Sequence, residues 1–195
     1  HGVWLDDEEL ELLLSTDTAI AYCPWAYLRL GQGVTRAGRH AELVRRGGRV
    51  ALGTDSANAG DVADILRTAA LAAGLARDRY LDPLGFGAHD ALGLATIDGA
   101  RAIGMSQRIG SLEPGKRADI VVHRTDGWAW APRGDIGTQL LWGGDGRWVR
   151  DVLIDGRIVV RNGRCTTIDT PALWEAANNR QRFLLDRLGV RHDPR

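Results

Sequence analysis

The chain has 195 residues, 44% hydrophobic and 26% charged, enough to bury the core of a globular protein. Its 25 Lys and Arg balance 25 Asp and Glu, which gives no electrostatic case for binding nucleic acid or an anionic membrane. No apolar run approaches the roughly 18 residues that cross a bilayer, the first residues do not read as a signal peptide, and two distant cysteines, Cys23 and Cys165, suit a reducing, cytoplasmic setting without a disulfide. Beginning at His1 and not at Met, the chain reads as a piece of a longer protein.

Residues 1–5 read as the tail of a strand. Asp6-Asp7-Glu8-Glu9 starts a helix, with acids at the positive end of its dipole and Leu10, Leu13 and Leu14 on its apolar face. Thr18 to Tyr22 reads as a strand stopped by Pro24, followed by a loop through Gly33. Ala41 to Arg46 ends a second helix closed by Gly47. Val50-Ala51-Leu52 is too short for a helix and reads as a buried strand. This strand–helix alternation predicts a parallel sheet with covering helices. A helix with Ile65, Leu66, Ala69, Ala70 and Ala73 on one face follows, then another from Ala88 to Ile103.

After Met105 the texture becomes β-rich. Strands are expected at 118–123, 148–154 and 157–160, with turns at Asp155-Gly156 and Asn162-Gly163. Trp128, Trp130, Trp142 and Trp148 are expected to pack this part against the first. Pro171 opens a last helix, with Leu173, Ala177, Leu184 and Leu188 as its buried face, and 191–195 is expected to be a disordered tail. The predicted division is 1–105, 106–169 and 170–195.

Chemistry is expected at Gly53-Thr54-Asp55-Ser56, because parallel α/β folds collect their reacting groups at the C-terminal ends of strands. The plainer alternative is that Asp55 caps the next helix. His40 and His89 read as surface or capping residues, while His123 and His192 have no ligand partner at useful spacing. Cys23, before a proline, reads as a small buried hydrophobe and not a nucleophile.

Four stretches carry a family resemblance. They are His1-Gly2-Val3-Trp4-Leu5 with its acidic helix start; Cys23-Pro24 with Leu28-Arg29-Leu30-Gly31-Gln32-Gly33; Leu52-Gly53-Thr54-Asp55; and Ala91 to Gly104 continuing into Ile109 to Ile120. Together they resemble the C-terminal half of the amidohydrolase superfamily. The branch is the cytosine deaminase-like one, with S-adenosylhomocysteine/methylthioadenosine deaminases and triazine hydrolases. The resemblance implies strands six to eight of a (β/α)8 TIM barrel, a small β-sandwich and a C-terminal helix. It also implies a divalent metal, zinc with iron as alternative, bound by Asp55 together with histidines of earlier strands. Asp55 then takes a proton from the metal-bound water, and His1, beside the metal, orients or polarises nucleophile or substrate. Trp25 and Tyr27, in the loop lining the substrate side, are expected to stack on a flat heterocycle.

Two departures stand out. The chain has no His-x-His pair, so Asp55 is the one metal ligand the resemblance supplies here. Tyr22 and Ala26-Tyr27 replace the His and Ser-Asn of many relatives. The resemblance implies hydrolysis of non-peptide C–N bonds, deaminating a nitrogen heterocycle by attack of a metal-bound hydroxide. The partners it implies are a small heterocyclic substrate, the missing N-terminal half of the barrel and further copies of the full-length chain. Triazine dehalogenation is a weaker variant. The alternative from another class is a non-catalytic module, or one half of a split barrel inactive alone.

Overall fold

The computed structural model describes residues 1–190; the expected tail and His192 lie outside them. Strand β1 (Ile20–Tyr22) pairs in parallel with β2 (Val50–Leu52) in the register Ile20↔Val50, Ala21↔Ala51, Tyr22↔Leu52. Ile20, Tyr22 and Val50 are buried, as strands covered by helices require.

Helix α1 (Asp7–Ser15) precedes this pair, with a capping box between Asp6 and Glu9. Its Leu10 is fully buried, with Leu13 and Leu14 partly buried beside the core. Residues 1–5 do not form the expected strand tail. They make a turn, with Gly2 at φ 58°. Its positive φ favours glycine, and a Cβ there would lie 2.8 Å from Ile20 Cδ1, so this backbone runs close against the Ile20 side chain of β1.

The expected loop after β1 is instead helix α2 (Pro24–Arg29), followed by α3 (Val34–Ala37) and α4 (His40–Arg45). Pro24 stops the strand but also occupies the first helical turn, where its missing N–H is no loss. After β2 come α5 (Ala57–Gly60) and the long α6 (Ile65–Tyr80), capped by Asp64. Helix α6 buries Thr68, Ala69, Ala72, Ala73 and Ala76, so the expected face is in part the buried one, through Ala69 and Ala73. Its alanines let neighbouring elements approach closely, while Ile65 and Leu66 are only partly covered.

The single helix expected over 88–103 is two, α7 (Ala88–Leu94) and α8 (Ile97–Ala102). The break falls at Thr96, whose hydroxyl donates to Leu92 O (2.6 Å) and competes with helical bonding.

The β-rich part is an antiparallel sheet in the order β3 (Ile120–His123), β4 (Val149–Ile154), β5 (Arg157–Arg161), β6 (Arg164–Cys165). Trp148 sits in a 3-10 turn just before β4 and not in the strand. Helix α9 (Ile136–Gly143) lies between β3 and β4 in sequence and buries Leu141 in the main core. The tryptophans divide. Trp130 is buried edge-on to Trp148 (6.4 Å, 89°), and Trp142 of α9 lies under the Arg77 guanidinium of α6 (5.0 Å). Trp128 is exposed and joins nothing to the core.

Helix α10 (Thr170–Arg187) begins with Pro171 as expected but has no buried residue. Leu173, Leu184 and Leu188, the expected buried face, are exposed. Amphipathic spacing marks a stripe that can be covered; among the described residues nothing buries it.

Candidate active site

The parallel register sets the site. With Tyr22 opposite Leu52, the next residues, Cys23 and Gly53, meet at the same level beyond the strand ends. A Cβ on Gly53 would lie 2.8 Å from Cys23 Sγ, so the glycine leaves room for the thiol. The chain then turns sharply. Asp55 takes φ 58°, a left-handed conformation that Asp tolerates better than most residues but still at a cost.

That turn aims the carboxylate. Asp55 Oδ1 accepts from the Ser56 backbone N–H (2.7 Å), while Oδ2 lies 3.5 Å from His1 Nε2. Asp55 does not cap the next helix. Ser56 holds the N-cap position of α5 and makes no side-chain cap bond. The helix-cap alternative is therefore excluded by geometry.

His1 is held on two sides. Its Nδ1 lies 3.0 Å from Tyr27 Oη, with the rings edge to face at 5.3 Å. Its carbonyl oxygen accepts from His40 Nε2 (2.7 Å). His40 is not the surface or capping residue expected. It is buried and stacks on Tyr22 at 4.0 Å and 10°. Burial pushes its pKa down to about 4, so the ring is neutral near pH 7.

Tyr27 does not stand where a substrate-stacking residue should. It is 1% exposed, with its ring beside the stacked Tyr22–His40 pair (centroids 6.0 Å and 5.7 Å away) and its hydroxyl donating to Ala21 O (3.0 Å). It packs under His1 and offers no free face to a ligand. Trp25 is half-buried, with the Arg67 guanidinium 5.4 Å from its ring centroid.

Sequence reasoning left Cys23 outside the site. The structure places it inside: one ligand atom each of His1, Cys23 and Asp55 lie within 4.8 Å of one another. Among the described residues this is the one group of three or more His, Cys, Asp or Glu that converges so. The available signal was the equal distance of Cys23 and Gly53 from the ends of two parallel strands, with the residue opposite the cysteine a glycine. Burial pushes the Cys23 thiol pKa up, and the Asp55 charge adds to the effect. Cys23 is therefore a protonated, buried thiol, as a small hydrophobe should be, and a poor donor. The other histidines stay apart: His89 is exposed, and burial lowers the pKa of His123 at the end of β3.

These donors fit one side of a divalent-cation site. A carboxylate oxygen from the turn after β2 and an imidazole nitrogen from the segment before α1 converge, but a closed zinc shell takes four ligands. The fold and site thus define a class, a parallel α/β unit presenting a carboxylate opposite an imidazole at its strand ends.

The comparison with known proteins narrows this. The amidohydrolase family model matches residues 1–159, and the chain belongs to that family. It is 33% identical over 180 residues to a 5-methylthioadenosine/S-adenosylhomocysteine deaminase of Moorella thermoacetica, covering 92% of this chain and 41% of that relative. It is 31% identical to an S-triazine hydrolase of Gordonia rubripertincta, covering 97% and 40%. Among solved structures, a zinc-bound adenosine deaminase of Xanthomonas campestris matches with a TM-score of 0.83 and 31% identity, covering 91% of this chain and 39% of that one. A zinc-bound atrazine chlorohydrolase of Arthrobacter aurescens matches with a TM-score of 0.80 and 26% identity, covering 92% and 39%. The chain thus spans about two fifths of these relatives, in their C-terminal part. Its mixed α/β architecture resembles the same part of amidohydrolase barrels.

Proposed function

We propose that this chain is the C-terminal part of a divalent-metal-dependent hydrolase of (β/α)8 architecture that deaminates a nitrogen heterocycle. In this reading residues 1–105 supply the last barrel strands, 106–169 a β-sandwich and 170–195 a terminal helix and tail. The observation that carries it is the 3.5 Å approach of His1 Nε2 and Asp55 Oδ2 beside the ends of the parallel β1–β2 pair. The names of the relatives, deaminases of adenosine derivatives and triazine hydrolases, support a small ring substrate. The zinc in two related structures supports zinc as the metal.

Asp55 would hold the metal through Oδ2, since Oδ1 is engaged by the Ser56 amide. When bound, a divalent metal lowers the pKa of water towards neutrality. The Asp55 carboxylate would take up the proton of the attacking water and return it to the leaving amine. His1 Nε2, on the same side, orients the nucleophile or the ring atom under attack. Trp25 of α2, flanked by Arg67, is the ring left for substrate; buried Tyr27 is not.

A second reading is favoured by the incomplete donor set. The chain by itself is one half of a barrel and inactive until the other half is supplied. One experiment tests both. Ammonia release from aminopurine and aminotriazine substrates is measured with added zinc, using this chain alone and fused behind the N-terminal part of the Moorella relative. Activity in the fusion that is lost in Asp55→Ala supports the hydrolase reading. An Asp55→Ala fusion with full activity removes it, and full activity of the chain alone removes the second reading.

A further inference from the structure

We infer that Tyr27 is a positioning residue that fixes the tautomer of His1, leaving the bare Nε2 of the ring turned towards Asp55. The inference deepens the site reading above and rests on it for its catalytic meaning, though not for its geometry.

The argument counts protons. Tyr27 Oη carries one. Two carbonyl oxygens stand beside it, Ala21 O at 3.0 Å and His1 O at 3.4 Å. A carbonyl can only accept, and the hydroxyl proton is assigned to the nearer of the two, Ala21 O. What remains for His1 Nδ1, 3.0 Å away, is a lone pair on the phenol oxygen. With the phenol proton so assigned, Nδ1 brings the proton to that contact. A neutral imidazole has one N–H, so Nε2 is bare. Nε2 is the atom that lies 3.5 Å from Asp55 Oδ2. A bare nitrogen there can accept a proton or hydrogen bond from a nucleophile shared with the carboxylate. An N–H there would instead be tied up by the carboxylate.

The phenol is well placed to impose this choice. Tyr27 is almost wholly buried, and burial raises its pKa above the ordinary phenol value, so it stays protonated. His1 cannot slide away from it, because His40 Nε2 grips the His1 carbonyl at 2.7 Å. That contact fixes the proton of His40 on Nε2 and leaves His40 Nδ1 bare, in agreement with its having no hydrogen-bond partner. Free histidine favours the proton on Nε2; here the contact at the other nitrogen reverses the preference.

The test is histidine nitrogen NMR on the 15N-labelled full chain near pH 7.5 without added metal, with the His1 signals assigned by their loss in His1→Gln. The expected wild-type spectrum shows His1 Nδ1 protonated and Nε2 bare. In Tyr27→Phe, which keeps the buried ring, the populations shift towards Nε2–H. A wild-type His1 protonated on Nε2 overturns the inference without need of any variant. So does a folded Tyr27→Phe whose tautomer is unchanged. In the barrel-completed fusion, Tyr27→Phe is expected to lower kcat roughly 10–100-fold with KM little changed, the loss typical of a partner that orients a site histidine. A fusion inert on every substrate that still shows the Nδ1–H tautomer sinks the hydrolase reading while supporting the role of Tyr27.

Discussion

His1 Nε2 and Asp55 Oδ2 face each other across 3.5 Å, although one residue precedes α1 and the other follows β2. Neither local pattern demands this. The parallel pairing of β1 and β2 brings their ends level, and the close pass of Gly2 against Ile20 brings His1 to the same edge. The predictions below start from this pair and move outward.

Asp55→Asn separates charge from shape. Asn accepts the left-handed backbone, and its amide oxygen still receives the Ser56 N–H. Folding stability by urea denaturation should stay within about 0.5 kcal/mol of wild type. Ammonia release by the barrel-completed fusion should fall roughly 10^2- to 10^4-fold, the range for a lost general base. Retained activity in this variant would falsify the proton-transfer role of Asp55.

His40 makes stability depend on pH. Its folded pKa is about 4, below the ordinary 6.5, because burial disfavours the charged ring. Protons therefore bind the unfolded chain more readily. The contribution of neutral His40 is complete above pH 6.5 and is lost as pH falls from there towards 4. The loss reaches about 3 kcal/mol at the lower end. Urea midpoints for wild type and His40→Gln across this window would test it. A wild-type curve parallel to that of the variant excludes His40 as the source.

Core and terminal helix should respond oppositely to truncation. Leu10 is fully buried in the main cluster, so Leu10→Ala should cost about 2–5 kcal/mol. Leu188→Ala, on the exposed face of α10, should change stability by less than about 0.5 kcal/mol. A large loss at Leu188 in a chain kept monomeric would mean that α10 has a covering surface within this chain.

The pure chain should self-associate. Both β1 and β2 have an open side, and Trp128, Leu173, Trp174 and Phe183 are exposed. Light scattering at micromolar concentration should report dimers or larger species, reduced when the N-terminal part of a relative is supplied. A stable monomer at all concentrations argues against an incomplete barrel.

Much of this molecule was legible before folding was considered. Periodicity and punctuation placed α1, β1, β2, α6 and the β-hairpins, because capping acids, short apolar runs and Asp-Gly or Asn-Gly turns act over a few residues. Asp55 was legible as a carboxylate at the end of a strand in a familiar order of motifs. Local rules did not reach the helix that Pro24 starts, the break at Thr96 or the bareness of α10. Those outcomes depend on which neighbours arrive from elsewhere in the chain.

The site divides in the same way. The sequence by itself determined the chemical cast, a carboxylate after a Gly-Thr turn and a histidine before an acid-capped helix. Only the tertiary structure decided that Cys23 joins them, that His40 is buried and neutral, and that Tyr27 lies beneath His1 instead of walling the substrate. The physical reason is register. Side-chain type is written residue by residue, but which nitrogen faces which oxygen is fixed by strand pairing and close packing between segments far apart in sequence.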